Sequence, residues 1–350
     1  MGGNLVTIVR NFSISVENFP ANSHDVQDGC VQPGQHRVMR FDFLSHNVGD
    51  TDIVVGSPAA RPDLFVWSTA HGHFHLKDFN EFILYDSSGH QMEVGHKQAF
   101  CLIDVERIRP TAVLNARFDD CNFNQGISAG WADLYNASLA CQYITIDGLP
   151  DGDYTLKSTT NSKQTVPEDC YGDNTMWTGL RIRGNTVTEI AIPWIREDVL
   201  EVNPANVEDV YVAGRWKLAD GSHWIIDFDQ NHQNVERAEK VVKHYKLHFV
   251  GFVGRPACAD HKPMMYWLAQ GHKAPQGAMP NEDAIAFNPA TVAVRKIGER
   301  WKVADGLNWL LDFGPAEGLA KQALYVIKKY GFSYICFVGR PNPPMMYFRS

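Results

Sequence analysis

RWKLADGSHWIIDF at residues 215–228 and RWKVADGLNWLLDF at residues 300–313 decide how this chain is organised. Aligned at an offset of 85 residues, the similarity runs outward in both directions. Upstream, Glu197-Asp198 recurs as Glu282-Asp283, and Asn203-Pro204-Ala205 as Asn288-Pro289-Ala290. Downstream, FVGRP occurs at 252–256 and again at 337–341. The first copy then carries four extra residues before Met264-Met265-Tyr266, which match Met345-Met346-Tyr347. A period of this length marks a duplicated structural unit. The expected modules are 197–281 and 282–350.

Within each copy, the Trp-to-Phe stretch alternates like two short strands joined at Asp-Gly, a hairpin signal. Val235, Ala238, Val242 and Tyr245 then fall at helical spacing, as do Ala320, Ala323, Ile327 and Tyr330. A buried strand follows in each, FVGFVG or YICFVG. Each copy therefore reads β-β-α-β-β, a small α+β module. Residues 1–196 read differently. Alternating runs such as VMRFDFL (38–44), EFILYD (81–86), YTLKST (154–159) and GLRIRG (179–184) are separated by Gly, Asp, Asn and Pro. No segment there sustains a helical period, so the expectation is an all-β, sandwich-like domain followed by the two repeats.

The chain has 350 residues and a formal net charge of -8. That balance argues against nucleic acid and anionic membrane surfaces, and mildly favours a cationic partner. No apolar stretch approaches the roughly 20 residues of a membrane-spanning helix. Residues 1–19 show no basic leader followed by an apolar block, so no secretory signal is read. Seven cysteines, with no CxxC, give no zinc-ribbon or thioredoxin signature. Five lie in the first half, where disulfides and an oxidising compartment are expected.

The chemistry concentrates in FVWSTAHGHFHLKDFNEFILYD, residues 65–86. His71, His73 and His75 stand at spacing two, which on a strand places three side chains on one face at roughly 7 Å intervals. Each neutral imidazole brings a donor and an acceptor that a core would have to satisfy, so a row of three suits a metal ion. Imidazole accepts copper, zinc, iron or nickel, and the spacing does not choose among them.

Further motifs do choose. GHKQAFCLID (95–104) and NQGISAGWADLYNASLACQYITI (124–146) follow Trp67 and the histidines in order. Together these segments resemble the catalytic domain of the lysyl oxidase family, over residues 4–184. The resemblance implies copper at the three histidines. It also implies a lysine tyrosylquinone formed from Lys97 and Tyr135, which would take a primary amine or peptidyl lysine and molecular oxygen to aldehyde, ammonia and hydrogen peroxide. Such a cofactor does the electronic work while the protein positions it and supplies a base. Asp133 and His96, beside Tyr135 and Lys97, are the candidates for that base.

The sequence departs from the family pattern in its cysteines: Ala70 and Trp131 stand where animal members have Cys. Cys101 and Cys121 flank a short loop and are candidates to pair, while Cys141 has Cys170 or Cys30 as partners. Some members also bind calcium through an acidic segment matched here by Glu168, Asp173 and Asn174, with Cys170 and Asn4 in place of two carboxylates. Oxygen ligands of this kind suit calcium, and a turn held by Asx hydrogen bonds is the alternative. Cys258, Asp260 and His261 stand in the extra loop of the first repeat, a weak metal set. The repeats carry no catalytic set, and their Trp, Arg and Met-Met-Tyr residues fit a carbohydrate- or protein-binding surface as well as a small core. Two further functions stand beside an amine oxidase. One is a metal-binding but inactive interaction protein. The other is a cupin-like dioxygenase, which lacks here the Glu and distant His it needs.

Overall fold

The computed structural model describes residues 2–69, 71–95, 101–259 and 261–350. His96, Lys97 and Asp260 lie outside the described residues. The fold is predominantly β, with three helices among the described residues: α1 (His24–Gln27), α2 (His232–Tyr245) and α3 (Glu317–Tyr330). The chain forms two compact units. One comprises Met1–Arg196, Pro256–His261 and Pro315–Lys321; the other comprises Glu197–Arg255, Lys262–Gly314 and Gln322–Ser350.

The first unit is built on two antiparallel five-stranded sheets. One runs Leu5–Phe19, Gly34–Asn47, Trp131–Tyr135 and Glu106–Arg107, with Tyr143–Thr145 also paired to Gly34–Asn47. The other runs Thr186–Ile190, Thr175–Arg183, Gly152–Thr159, Glu81–Asp86 and Gln91–Val94. Alternation in the sequence sends one side of each strand inward. Met39, Phe41 and Phe43 from the first sheet meet Phe82, Leu84, Leu156, Leu180 and Ile182 from the second in one core. Fully burying a side chain of this size is worth roughly 1.5–3 kcal/mol, so this layer dominates the stability of the unit.

Disulfides fasten what the sheets leave out. Cys30–Cys141 closes a separation of 111 residues, Cys101–Cys121 one of 20, and Cys170–Cys258 one of 88. Cys141 thus takes Cys30, one of its two expected partners, and Cys170 bonds outside the β domain's own sequence. Cys336 is free and buried. In the chain-entropy account, a closure of about 100 residues is worth roughly 4.7 kcal/mol.

In the second unit each copy has two more strands than its sequence pattern predicts. The first copy contains Asp198–Glu201, Val207–Val212, Arg215–Asp220, His223–Asp227, then α2, then Leu247–Val253 and Met264–Ala269. The second repeats this as Asp283–Ala286, Ala293–Ile297, Arg300–Asp305, Asn308–Asp312, α3, Tyr334–Val338 and Met345–Arg349. The extra leading strands are short and partly exposed, so they lack the apolar alternation by which strands are read. The Asp-Gly hairpins form as the turn chemistry requires, with Gly221 at φ 58° and Gly306 at φ 62°. Both copies draw on one core, in which Val235, Val242 and Trp267 pack with Cys336, Val338 and Tyr347.

Two partly buried glutamates brace the copies reciprocally. Glu197 accepts hydrogen bonds from Tyr266 of its own copy, 2.5 Å, and from Tyr330 of the other, 3.1 Å. Glu282 accepts from Tyr347 of its own copy, 2.9 Å, and from Tyr245 of the other, 2.6 Å. A cation completes each set: Lys329 at Glu197, and Arg349 at Glu282 at 2.7 Å.

Candidate metal centre and catalytic cavity

The histidines are set by a hairpin of Phe65–Ser68 and His73–Leu76, in which Ser68 opposes His73 and Val66 opposes His75. His73 and His75 share a face of the second strand, as alternation dictates. His71 is not on the strand. It sits in the connecting turn, where Gly72 at φ 67° redirects the chain and the backbone N–H of Gly72 bonds the carbonyl of Ser68, 2.8 Å. The Ser68 hydroxyl also accepts from the backbone N–H of His71, 3.1 Å. The turn folds the first imidazole back over the other two. Ring centroids are therefore 4.9–5.6 Å apart, closer than the 7 Å spacing of a continuous strand.

The ring nitrogens converge. His75 Nε2 lies 3.2 Å from His71 Nδ1 and 3.1 Å from His73 Nε2. Imidazole–metal bonds of about 2.0 Å, about 100° apart, hold two nitrogens about 3.1 Å from each other. The spacing and the all-imidazole donor set therefore fit a copper ion.

Groups around the triad fix its rings. Asp28 Oδ2 stands 3.7 Å from His71 Nε2, on the side away from the shared center. His24, from α1, meets His71 edge-on at 5.5 Å. Gln125 is fully buried and donates through Nε2 to the carbonyls of Phe74, 2.9 Å, and Cys121, 2.8 Å, tying the histidine strand to the Cys101–Cys121 disulfide. Its Oε1 accepts from the N–H of Leu102, 2.8 Å. Metal ligands are commonly held by such outer contacts. Sequence reading assigned no role to His24, Asp28 or Gln125. Gln125 lies within the segment 124–146, but a glutamine between Asn and Gly on a short strand gives no other signal.

Tyr135 and Asp133 share a face of Trp131–Tyr135, which pairs with Gly34–Asn47 so that Tyr135 opposes Phe43. Both are buried. The Tyr135 hydroxyl donates to the carbonyl of Cys101 and contacts the Asp133 carboxylate. Burial, then the neighbouring Asp133 charge, hold the phenol well above its ordinary range, so it stays protonated. A cavity of about 440 Å³ brings the parts together: His24, the three histidines, Asp133, Tyr135 and the Cys101–Cys121 disulfide line it. Ile103, Val105, Leu134 and Leu139 form its apolar wall.

Glu168, Asp173 and Asn174 also come together, with Asn4 and Asn161. Glu168 accepts from the N–H of Leu5, 2.8 Å, and from the amides of Asn161, 2.6 Å, and Asn174, 2.7 Å. Asp173 accepts from the Asn4 amide, 2.9 Å. Burial pushes the Glu168 carboxyl up to about 8 against these donors. Amide N–H groups thus bond both carboxylates, and Cys170 stands where the calcium pattern would have a further oxygen.

The lysyl oxidase family model matches residues 14–191, just over half of the chain. Lysyl oxidase homolog 3B of Danio rerio is 32% identical over 156 residues, covering 44% of this chain and 19% of that protein. Lysyl oxidase homolog 3 of Homo sapiens is likewise 32% identical over 156 residues, covering 44% and 20%. Lysyl oxidase homolog 2 of Gallus gallus is 32% identical over 159 residues, covering 45% and 20%. The matched part thus spans about a fifth of these relatives. With the histidine centre, the buried tyrosine and the family match in agreement, this chain belongs to the lysyl oxidase family of copper-dependent amine oxidases.

Proposed function

We propose that this protein oxidatively deaminates primary amines, foremost peptidyl lysine, releasing aldehyde, ammonia and hydrogen peroxide. The observation that carries this reading is the single cavity lined by the histidine triad, Asp133 and Tyr135. Copper at His71, His73 and His75, with a lysine tyrosylquinone made from Lys97 and Tyr135, supplies electron transfer to oxygen and a carbonyl that takes up the amine.

The chain's own residues do the rest. The Cys101 carbonyl and Asp133 fix the phenol oxygen of Tyr135, and hence the ring orientation. Asp133, buried beside that ring, is placed to take a proton from the carbon bearing nitrogen, the work of a general base. The walls from Ile103, Val105, Leu134 and Leu139 accept the alkyl stem of an amine. The net charge of -8 favours approach of a cationic amine.

Mass analysis of peptides from the purified, copper-loaded chain tests the proposal. A linked Lys97–Tyr135 peptide and a visible band lost on phenylhydrazine treatment are expected. Copper-loaded protein with both residues unmodified would overturn the enzyme in favour of a metal-binding interaction protein. Trp224 and Trp309, 61% and 57% exposed at matching positions of the two repeats, give the second unit a surface for carbohydrate or protein. Targeting of the enzyme through that surface is part of the proposal. The disulfides suit an extracellular, oxidising setting, and no helix among the described residues is long and apolar enough to cross a membrane.

A further inference from the structure

Two turns in the first unit each pair a cysteine with a second metal-binding side chain three residues on: Cys170 with Asp173, and Cys258 with His261. The Sγ atoms of Cys170 and Cys258 and a carboxylate oxygen of Asp173 lie within 4.8 Å of one another. Cys170, Asp173 and His261 are all more than nine-tenths buried. Cys258 and His261 stand in the four-residue extension that the first repeat copy has and the second lacks. Cys170, on the other side, stands where the calcium-binding pattern would have a carboxylate.

A disulfide uses two of these four side chains. It does not use the Asp173 carboxylate that stands beside the two sulfurs, nor the buried imidazole three residues on from Cys258. Zinc uses this whole set: two thiolates, an imidazole nitrogen and a carboxylate oxygen, with no site left open. The exchange of an oxygen ligand for sulfur at position 170 moves the chemistry from a hard cation toward a softer one.

We propose that Cys170, Asp173, Cys258 and His261 form a structural zinc site when the two cysteines are reduced. The bonded and metal-bound states are alternatives. Passing from the first to the second takes two electrons and two protons from a dithiol reductant, which splits the S–S bond into two thiols. Zinc then displaces both thiol protons and forms two Zn–S bonds. A chain that meets zinc before its sulfurs are oxidised needs no reductant. The site is independent of the amine oxidase reading, because it shares no residue with the copper triad.

The full chain, reduced anaerobically with a dithiol and freed of metal, is titrated with cobalt(II). A near-ultraviolet thiolate-to-cobalt band is expected, quenched by zinc, which imidazole-only binding at the histidine triad cannot give. The band should be lost in Cys258→Ser and Cys170→Ser, shifted in its visible part in His261→Ala, and unchanged in Cys336→Ser. Copper uptake by the triad reports that each variant is folded. Zinc should also shield Cys170 and Cys258 of the folded, reduced chain from alkylation mapped by peptide mass, and leave the reactivity of Cys336 unchanged. A reduced parent without the band, a band that survives Cys258→Ser, or Cys170 and Cys258 still linked after reduction would overturn the proposal.

Discussion

The histidine centre and the Glu168 pocket are both polar clusters of the first unit, and they are made in opposite ways. The three imidazoles come from five consecutive residues on one hairpin, and their nitrogens face one another across 3.1–3.2 Å. The Glu168 pocket is assembled from residues 4, 5, 161, 168, 173 and 174, and amide donors fill it. The first arrangement holds ligand atoms ready for an ion. The second sets amide donors against its carboxylates, while burial keeps Glu168 protonated up to about pH 8. The difference lies in what the polar atoms face: other ring nitrogens in the first, amide N–H groups in the second.

The largest effect expected is at the hairpin. His73→Ala should remove copper binding and lower amine oxidation by about a thousandfold or more, equivalent to about 4 kcal/mol in the barrier. Metal analysis and peroxide release measure it, and full activity in the variant would break the contrast. Tyr135→Phe should lose activity and the quinone band while keeping copper, because the ring is not one of the converging nitrogens. Loss of copper as well would mean that the tyrosine is part of the metal centre.

The pocket should answer to pH instead. Glu168 has a folded pKa of about 8, raised above the ordinary value of 4.5 by burial. Below pH 4.5 both folded and unfolded states are protonated, and the group contributes nothing. Between pH 4.5 and 8 the unfolded state ionises first, so stability falls as pH rises, levelling off above about 8. The fall is about 3 kcal/mol, less than the full shift because the side chain is not wholly sealed from water. Chemical denaturation across that window should show the slope in the parent and lose it in Glu168→Gln. A flat parent would mean that the carboxyl is solvated. Smallest is Gln125→Ala, expected to weaken copper about 10- to 100-fold by loosening the histidine strand, measured by competition with a chelator.

The hairpin was legible because its ligands are local: HxHxH shows in any window of five residues. Its geometry was less so, since continuing the strand through His71 overlooks the turn that Gly72 allows. Tyr135 and Asp133 were legible through the motif around them, as nothing in a lone tyrosine marks it. Gln125, His24 and Asp28 were not, because their partners lie tens of residues away and a buried glutamine is identified only by what it bonds. The repeat was plain from its period, yet its short leading strands were missed, having little apolar face. The bond from Cys170 to Cys258 crosses between segments that share no motif or spacing by which a pairing is read.

The crossed pairing of Glu197 with Tyr330 and Glu282 with Tyr245 has a bearing on ancestry. Each copy lends its helix tyrosine to the other's glutamate, the exchange that two identical subunits make about a two-fold axis. A gene encoding one copy would yield a chain with half a core and a carboxylate short of one tyrosine donor, and both wants are met by a second molecule of the same kind. Fusion of two such genes turns a bimolecular association into an intramolecular one and frees the halves to diverge. The four-residue extension bearing Cys258, found on one side only, is a divergence that a symmetric homodimer could not have kept to one half.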